Sequence, residues 1–180
     1  LGQSFGGFVA QRYIERHAAH PGKVILSSTT HHMGLARKLA MFERLGGTEA
    51  RAMAEAFWTQ PNAQTWADYN RVCKRWYNTT PQDEAASQRT LFNTDILFAS
   101  AAGEQQTMNL LPGLARAQCP VLVLAGDADP VTPIEDAQDI VAALPPQWVQ
   151  FERFANVGHG AWRDDPDAAF AVLRRFITEA

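Results

Sequence analysis

Apolar and polar positions along the chain fall into two regimes. From Phe5 to about Ala18, the positions Phe8, Val9, Arg12, Tyr13 and Arg16 recur at helical spacing, and Pro21-Gly22 closes the segment. Val24-Ile25-Leu26 then forms a short unbroken apolar run ahead of the polar stretch Ser27 to Thr30, which suits a strand buried on both faces of a parallel sheet. The second regime covers residues 33 to about 115. It offers no strand pattern, only alanine-rich segments of helical period punctuated by Gly46-Gly47, Pro61, Pro81, Gly103 and Pro112. Alternation resumes with Val121 to Ala125, a helix from about Ile134 to Leu144, a strand near Trp148 to Phe154 and a last helix from about Asp167 to Glu179. Strands alternating with helices imply right-handed crossovers, so the expected fold class is α/β, a mostly parallel sheet flanked by helices. Its core is expected from residues 1–30 and 116–180, with a helical cap inserted at residues 31–115.

Composition narrows the function classes. The 180 residues are 46% apolar and 19% charged, as in an ordinary globular domain. Sixteen basic and nineteen acidic residues give a net charge of −3 without any basic block, so nucleic acid is not an expected partner. Cys73 and Cys119 stand far apart, with no metal-ligand spacing and no disulfide framework around them, and are expected to be reduced. No apolar run approaches the roughly 18 residues that span a bilayer, and no signal-peptide pattern opens the chain. A cytoplasmic protein that uses no membrane, metal or cofactor is the expectation. Leu1 is not a methionine and the first motif begins at Gly2, so this is expected to be the C-terminal part of a longer chain.

Three short motifs carry candidate chemistry. Gly2-Gln3-Ser4-Phe5-Gly6 fits G-x-S-x-G, the nucleophile elbow, and a helical pattern follows the serine at once as that turn requires. The run Leu124 to Pro133 leads an apolar strand into a turn bearing Asp127 and Asp129, the place where open α/β sheets put reacting groups. His159 stands between Gly158 and Gly160 after the last strand, where little local packing justifies a histidine and two glycines let the loop aim its ring. The order Ser, Asp, His matches the order that an elbow-type hydrolase requires, with room for one helix and one strand between Asp129 and His159. His17 and His20 are expected to cap the first helix, and His31-His32 to form an exposed polar turn at the hinge or to line an entrance.

On these residues the whole chain resembles the α/β-hydrolase superfamily, and within it the capped hydrolases of proline iminopeptidase (prolyl aminopeptidase) type. GQSFGG resembles their elbow, LAGDADPVTP their G-x-x-D-x-x-x-P acid turn with Asp129 in the acid position, and VGHGAWRDDP their G-H-x-x-x-x-x-x-P histidine loop. Asp127 falls outside the acid position and is the second choice. The resemblance implies an α/β-hydrolase fold whose N-terminal strands and H-G-x-P-type oxyanion loop lie upstream of Leu1. It also accounts for the helical insertion as the cap, which carries no motif aligning with the acidic residues such peptidases use to hold a free amino terminus.

The implied mechanism is acyl transfer through Ser4, with His159 as general base and Asp129 as its orienting acid. The backbone N–H of Phe5 is the oxyanion donor that this chain can supply. Phe42, Phe57, Trp58, Trp66, Tyr69, Trp76, Tyr77, Phe92, Phe98 and Trp162 form the aromatic stock of the cap and the histidine loop, and Trp58, Trp76, Tyr77 and Trp162 are the expected substrate-binding residues. The substrate is expected to be a short peptide releasing its N-terminal residue, or another small molecule. A carboxylesterase using the same three residues, or a hydrolase-like ligand-binding protein without turnover, are the alternatives.

Overall fold

The computed structural model describes residues 1–81, 84–91 and 93–179. A two-residue strand, β1 (Gly2–Gln3), turns at Ser4 into α1 (Phe5–Arg16), and the chain returns through β2 (Val24–Ser27). Helices then follow one another. They are α2 (Leu35–Thr59), α3 (Ala63–Cys73) with a 3-10 turn at Lys74–Trp76, α4 (Glu84–Arg89), α5 (Thr94–Ala102) and the short α6 (Leu111–Leu114). The sheet resumes at β3 (Val121–Gly126), followed by α7 (Ile134–Ala143), β4 (Val149–Phe154), α8 (Ala161–Asp164) and α9 (Pro166–Thr178). All the strand pairings are parallel, in the order β1-β2-β3-β4, with Leu26 beside Val123 and Leu124 beside Glu152.

Strand β3 explains why the sheet is sandwiched. Every one of its residues is buried, because its two faces pack on different helices. Val121, Val123 and Ala125 join Ile14, Leu26, Leu114 and Ile140 on the face covered by α1, α6 and α7. Leu122 and Leu124 join Ile25, Leu173 and Phe176 on the face covered by α9. The helical segment has a core of its own, with Phe42, Phe57, Trp58, Tyr69 and Cys73 packed together and Met33 and Val131 at its base. Gly47, at φ 74, breaks the line of α2 into two helical halves. Cys73 and Cys119 are free and buried in different clusters. No helix among the described residues is long and apolar enough to cross a membrane.

Helix α1 turns Val9 and Tyr13 outward, 57% and 40% exposed, and buries Gly7, Gln11 and Ile14. The reason is polar: the Gln11 amide donates to the Thr30 carbonyl at 2.9 Å and anchors that face of the helix to the segment after β2. One sequence expectation changes here: His31 is no exposed turn residue. It is buried, with Nε2 3.3 Å from Asp139 on α7 and its ring 4.0 Å from that of His32.

Candidate active site

Ser4, Asp129 and His159 follow the carboxyl ends of β1, β3 and β4, so the parallel register delivers them to one edge of the sheet. Ser4 sits at φ 52, left-handed backbone that a residue with a side chain rarely adopts. Hydrogen bonds hold it there. Its N–H is shared between the Ser27 and Ser28 carbonyls at 3.1 Å each, and its own carbonyl accepts from the Thr29 hydroxyl at 2.8 Å. Gly2 is required by close approach, since a Cβ there would lie 2.3 Å from the Gly6 carbonyl oxygen.

Asp129 is fully buried and completely satisfied. Its Oδ1 accepts from the N–H groups of Val131 (2.8 Å) and Thr132 (2.9 Å), while Oδ2 accepts from the Thr132 hydroxyl at 2.7 Å and lies 2.8 Å from His159 Nδ1. The other ring nitrogen, Nε2, is 3.0 Å from Ser4 Oγ. The three residues picked out in the sequence thus form one hydrogen-bonded chain. Asp127 lies apart from it: its carboxylate takes the Asn156 N–H at 2.7 Å and pairs with Arg153, bracing the turn after β4.

The histidine loop is fixed from the helical side. The His159 N–H donates to the Tyr77 carbonyl, and the Tyr77 ring meets the imidazole edge-on at 5.6 Å between centroids. Gly158 is needed at this contact, because a Cβ would come within 2.1 Å of the same Tyr77 oxygen. Asp164 ties the two segments further by accepting from the N–H groups of Gly158, Thr79 and Thr80 and from the Thr80 hydroxyl. Burial pushes its carboxyl up, but those donors outweigh burial and hold it below the ordinary carboxylate range. Burial also pushes the Tyr77 phenol well up, so it stays neutral while sharing a 2.7 Å bond with the Tyr69 hydroxyl.

Ser4 and His159 open into a cavity of about 540 Å³. Its wall is largely apolar, built from Phe57, Trp58, Trp66, Tyr77, Leu97 and Val131, with Lys38 as the one lysine, arginine or carboxylate side chain among the described lining residues. Of the four aromatics expected to bind substrate, Trp58 and Tyr77 line it. Trp76 and Trp162 do not: Trp76 packs on the helical core with its indole against Gly46, and Trp162 lies in the cluster beneath α9. Phe92 lies outside the described residues. The Phe5 N–H opens α1 at the cavity and has no acceptor among the described residues, as for the first N–H groups of any helix. Lys38, Thr132 and Asp164 were missed in the sequence. A signal existed only for Thr132, since Asp-Pro-x-Thr is the pattern of a carboxylate-capped turn. Apart from the cavity, His31, His32 and Asp136 bring one ligand-type atom each within 4.8 Å of one another, with Asp136 engaged by Arg37.

A model of the alpha/beta hydrolase fold matches residues 1–166. No curated protein matches the chain. Among solved structures, a proline iminopeptidase from Mycobacterium smegmatis is similar at TM-score 0.70 and 22% identity, over 98% of this chain and 63% of its own. An esterase from Rhodococcus sp. ECU1013 is similar at TM-score 0.66 and 18% identity, over 99% of this chain and 64% of its own. The enol-lactonase from Burkholderia xenovorans LB400 follows at TM-score 0.63 and 20% identity, again covering 99% and 64%. At these identities the likeness is one of fold. The chain spans somewhat under two thirds of the length of these structures.

Proposed function

The chain belongs to the α/β-hydrolase fold family, and on that premise we propose that it performs serine hydrolysis of carboxylic esters through an acyl-enzyme on Ser4. The observation that carries the proposal is the chain Ser4–His159–Asp129, with bonds of 3.0 and 2.8 Å, opening into an apolar cavity. An alcohol is a poor nucleophile at neutral pH until a base takes its proton during attack. In the proposed cycle Ser4 Oγ attacks the carbonyl carbon as its proton passes to His159 Nε2. The carbonyl oxygen, now negative, takes the Phe5 N–H, and Asp129 stabilises the imidazolium from behind. Collapse expels the alcohol with the proton from Nε2, and water repeats the sequence on the acyl-enzyme.

Proline iminopeptidase-like release of an N-terminal residue is the second reading, favoured by the sequence resemblance. It keeps the three residues in the same roles but needs an acceptor for the substrate's ammonium. The described lining residues include no carboxylate, and Lys38 would repel such a group. The ester reading is the one the cavity supports better. Fluorophosphonate labelling, read by peptide mass at Ser4, tests the nucleophile. Turnover of p-nitrophenyl butyrate beside proline p-nitroanilide then separates the readings: anilide turnover without ester turnover would put the iminopeptidase reading first, and no label in a folded protein that still binds apolar ligands would point to a binding protein instead.

A further inference from the structure

Lysines are almost never fully buried unless paired, because taking an ammonium out of water costs several kcal/mol. Lys38, on the first half of α2, is 1% exposed and lines the same cavity as Ser4 and His159. Its Nζ makes no hydrogen bond to any oxygen among the described residues, and its one close partner is the face of Trp58, 5.6 Å from the ring centroid. The two carboxylates nearby are held by others. Asp129 is saturated by two backbone N–H groups, Thr132 and His159, and Asp136 Oδ1 takes the Arg37 guanidinium at 2.7 Å. Asp136 Oδ2 is buried and unpartnered, yet Lys38 does not donate to it.

We infer that Lys38 Nζ is an anion-binding group in the cavity, and that the substrates of this hydrolase carry a carboxylate joined by an apolar spacer to the scissile carbonyl. The inference rests on the ester-hydrolase reading for its substrate class, but not for the binding itself. A carboxylate entering this wall would give the buried ammonium the charge-assisted partner it lacks, while Phe57, Trp58 and Trp66 would cover the spacer. The same cation excludes substrates with an ammonium in that position, so it acts as a filter by charge. Burial pulls the Lys38 amine down to about 8, opposed by Asp136 and Asp129, which leaves it protonated at neutral pH.

The test uses Ser4→Ala, which removes turnover, and calorimetric titration at pH 7 with 4-phenylbutyrate and its uncharged twin 4-phenylbutanamide. The acid is expected to bind at least about tenfold more tightly than the amide, and adding Lys38→Met is expected to bring the ratio near one, while Lys38→Arg keeps a preference for the acid. Equal affinities in the Ser4→Ala protein, or a ratio that survives Lys38→Met, overturn the inference. Should Lys38→Met fail to fold, the unaltered lysine decides by pH: the ratio must fall as pH rises past about 8, the amine being within electrostatic reach of Asp136, Asp129 and His32, with His159 lining the same cavity and Arg37 held on Asp136. A ratio constant from pH 6.5 to 9.5 overturns it equally. Fluorophosphonate labelling of the unmutated protein reads the hydrolase proposal separately, since a protein that is not labelled can still show the acid-to-amide difference.

Discussion

Two buried ionisable side chains, Asp129 behind His159 and Lys38 in the cavity wall, are held in opposite ways. Asp129, at the end of β3, has no exposed surface and four donors within hydrogen-bond distance, three of them from the turn Val131-Thr132 that immediately follows it. Lys38, from the helical segment, is as deeply buried and has an aromatic face but no hydrogen-bonded oxygen among the described residues. A charge with three of its four donors within three residues is largely a local device. A charge brought to a cavity by tertiary packing without a partner is poised for something that enters. The contrast separates the part of the site that would do chemistry from the part that would choose its substrate.

Exchanging Asp129 for asparagine should break the first half of the comparison with the largest effect. The variant's amide nitrogen would face His159 Nδ1 as a donor, forcing the ring proton onto Nε2, where the imidazole can no longer accept from Ser4. For ester hydrolysis we expect kcat to fall about 10⁴-fold, the magnitude of a wrong tautomer in a serine hydrolase triad. Burst and steady-state kinetics on p-nitrophenyl butyrate measure it. A loss of less than about tenfold would mean that Asp129 does not orient His159 for reaction.

The same contrast explains what could be read from the sequence. Ser4, Asp129 and His159 were legible because each lies at a strand end within a motif whose spacing is set by local backbone needs: the left-handed turn at Ser4, the capped turn after Asp129, the approach of Gly158 to Tyr77. Strand β3 was legible for a related reason, being apolar on both faces. The cavity wall was not. Trp58 and Trp76 look alike as aromatics in an alanine-rich helical region, yet one lines the cavity and the other packs on Gly46, a difference made by the break in α2 at Gly47 and by the packing of α2 on α3. Helical spacing alone likewise leaves open which face of α1 is buried, since Gln11 anchors the helix by its amide and periodicity cannot register that. Lys38 falls at a core-facing position of α2, where a sequence pattern assigns a lysine to the surface.

Lys38→Met should act with the opposite sign, raising stability while removing selectivity. Lowering the amine from its ordinary value near 10.5 to about 8 corresponds to roughly 3 kcal/mol of burial cost at pH 7, which the methionine does not incur. The pH dependence follows. Below about pH 8 both folded and unfolded states hold the proton and the full cost stands; between about 8 and 10.5 the unfolded chain binds it and the folded chain does not, so stability rises with pH. Urea denaturation of both proteins at pH 7 and pH 10 should find the methionine variant ahead at the lower pH and its lead largely gone at the higher. A lead that is absent or independent of pH would show that Lys38 is not held charged in an unfavourable place.

The smallest expected effect sharpens the comparison from within the turn itself. The Thr132 hydroxyl donates to Asp129 Oδ2 at 2.7 Å and lies 3.4 Å from His159 Nδ1, so it competes with the imidazole for one carboxylate oxygen while helping to hold that oxygen in place. Thr132→Val keeps the shape and both backbone donors but removes the hydroxyl from a residue only 3% exposed. Asp129 then loses one of four partners and keeps three, which should cost about 1 to 2 kcal/mol of stability. Activity should respond less than stability, because His159 Nδ1 becomes the sole side-chain donor to Oδ2 and keeps its tautomer. Paired urea denaturation and ester kinetics would show a stability loss with kcat within about tenfold of the parent; a collapse in kcat at unchanged stability would place Thr132 among the orienting groups of the imidazole rather than among the supports of Asp129.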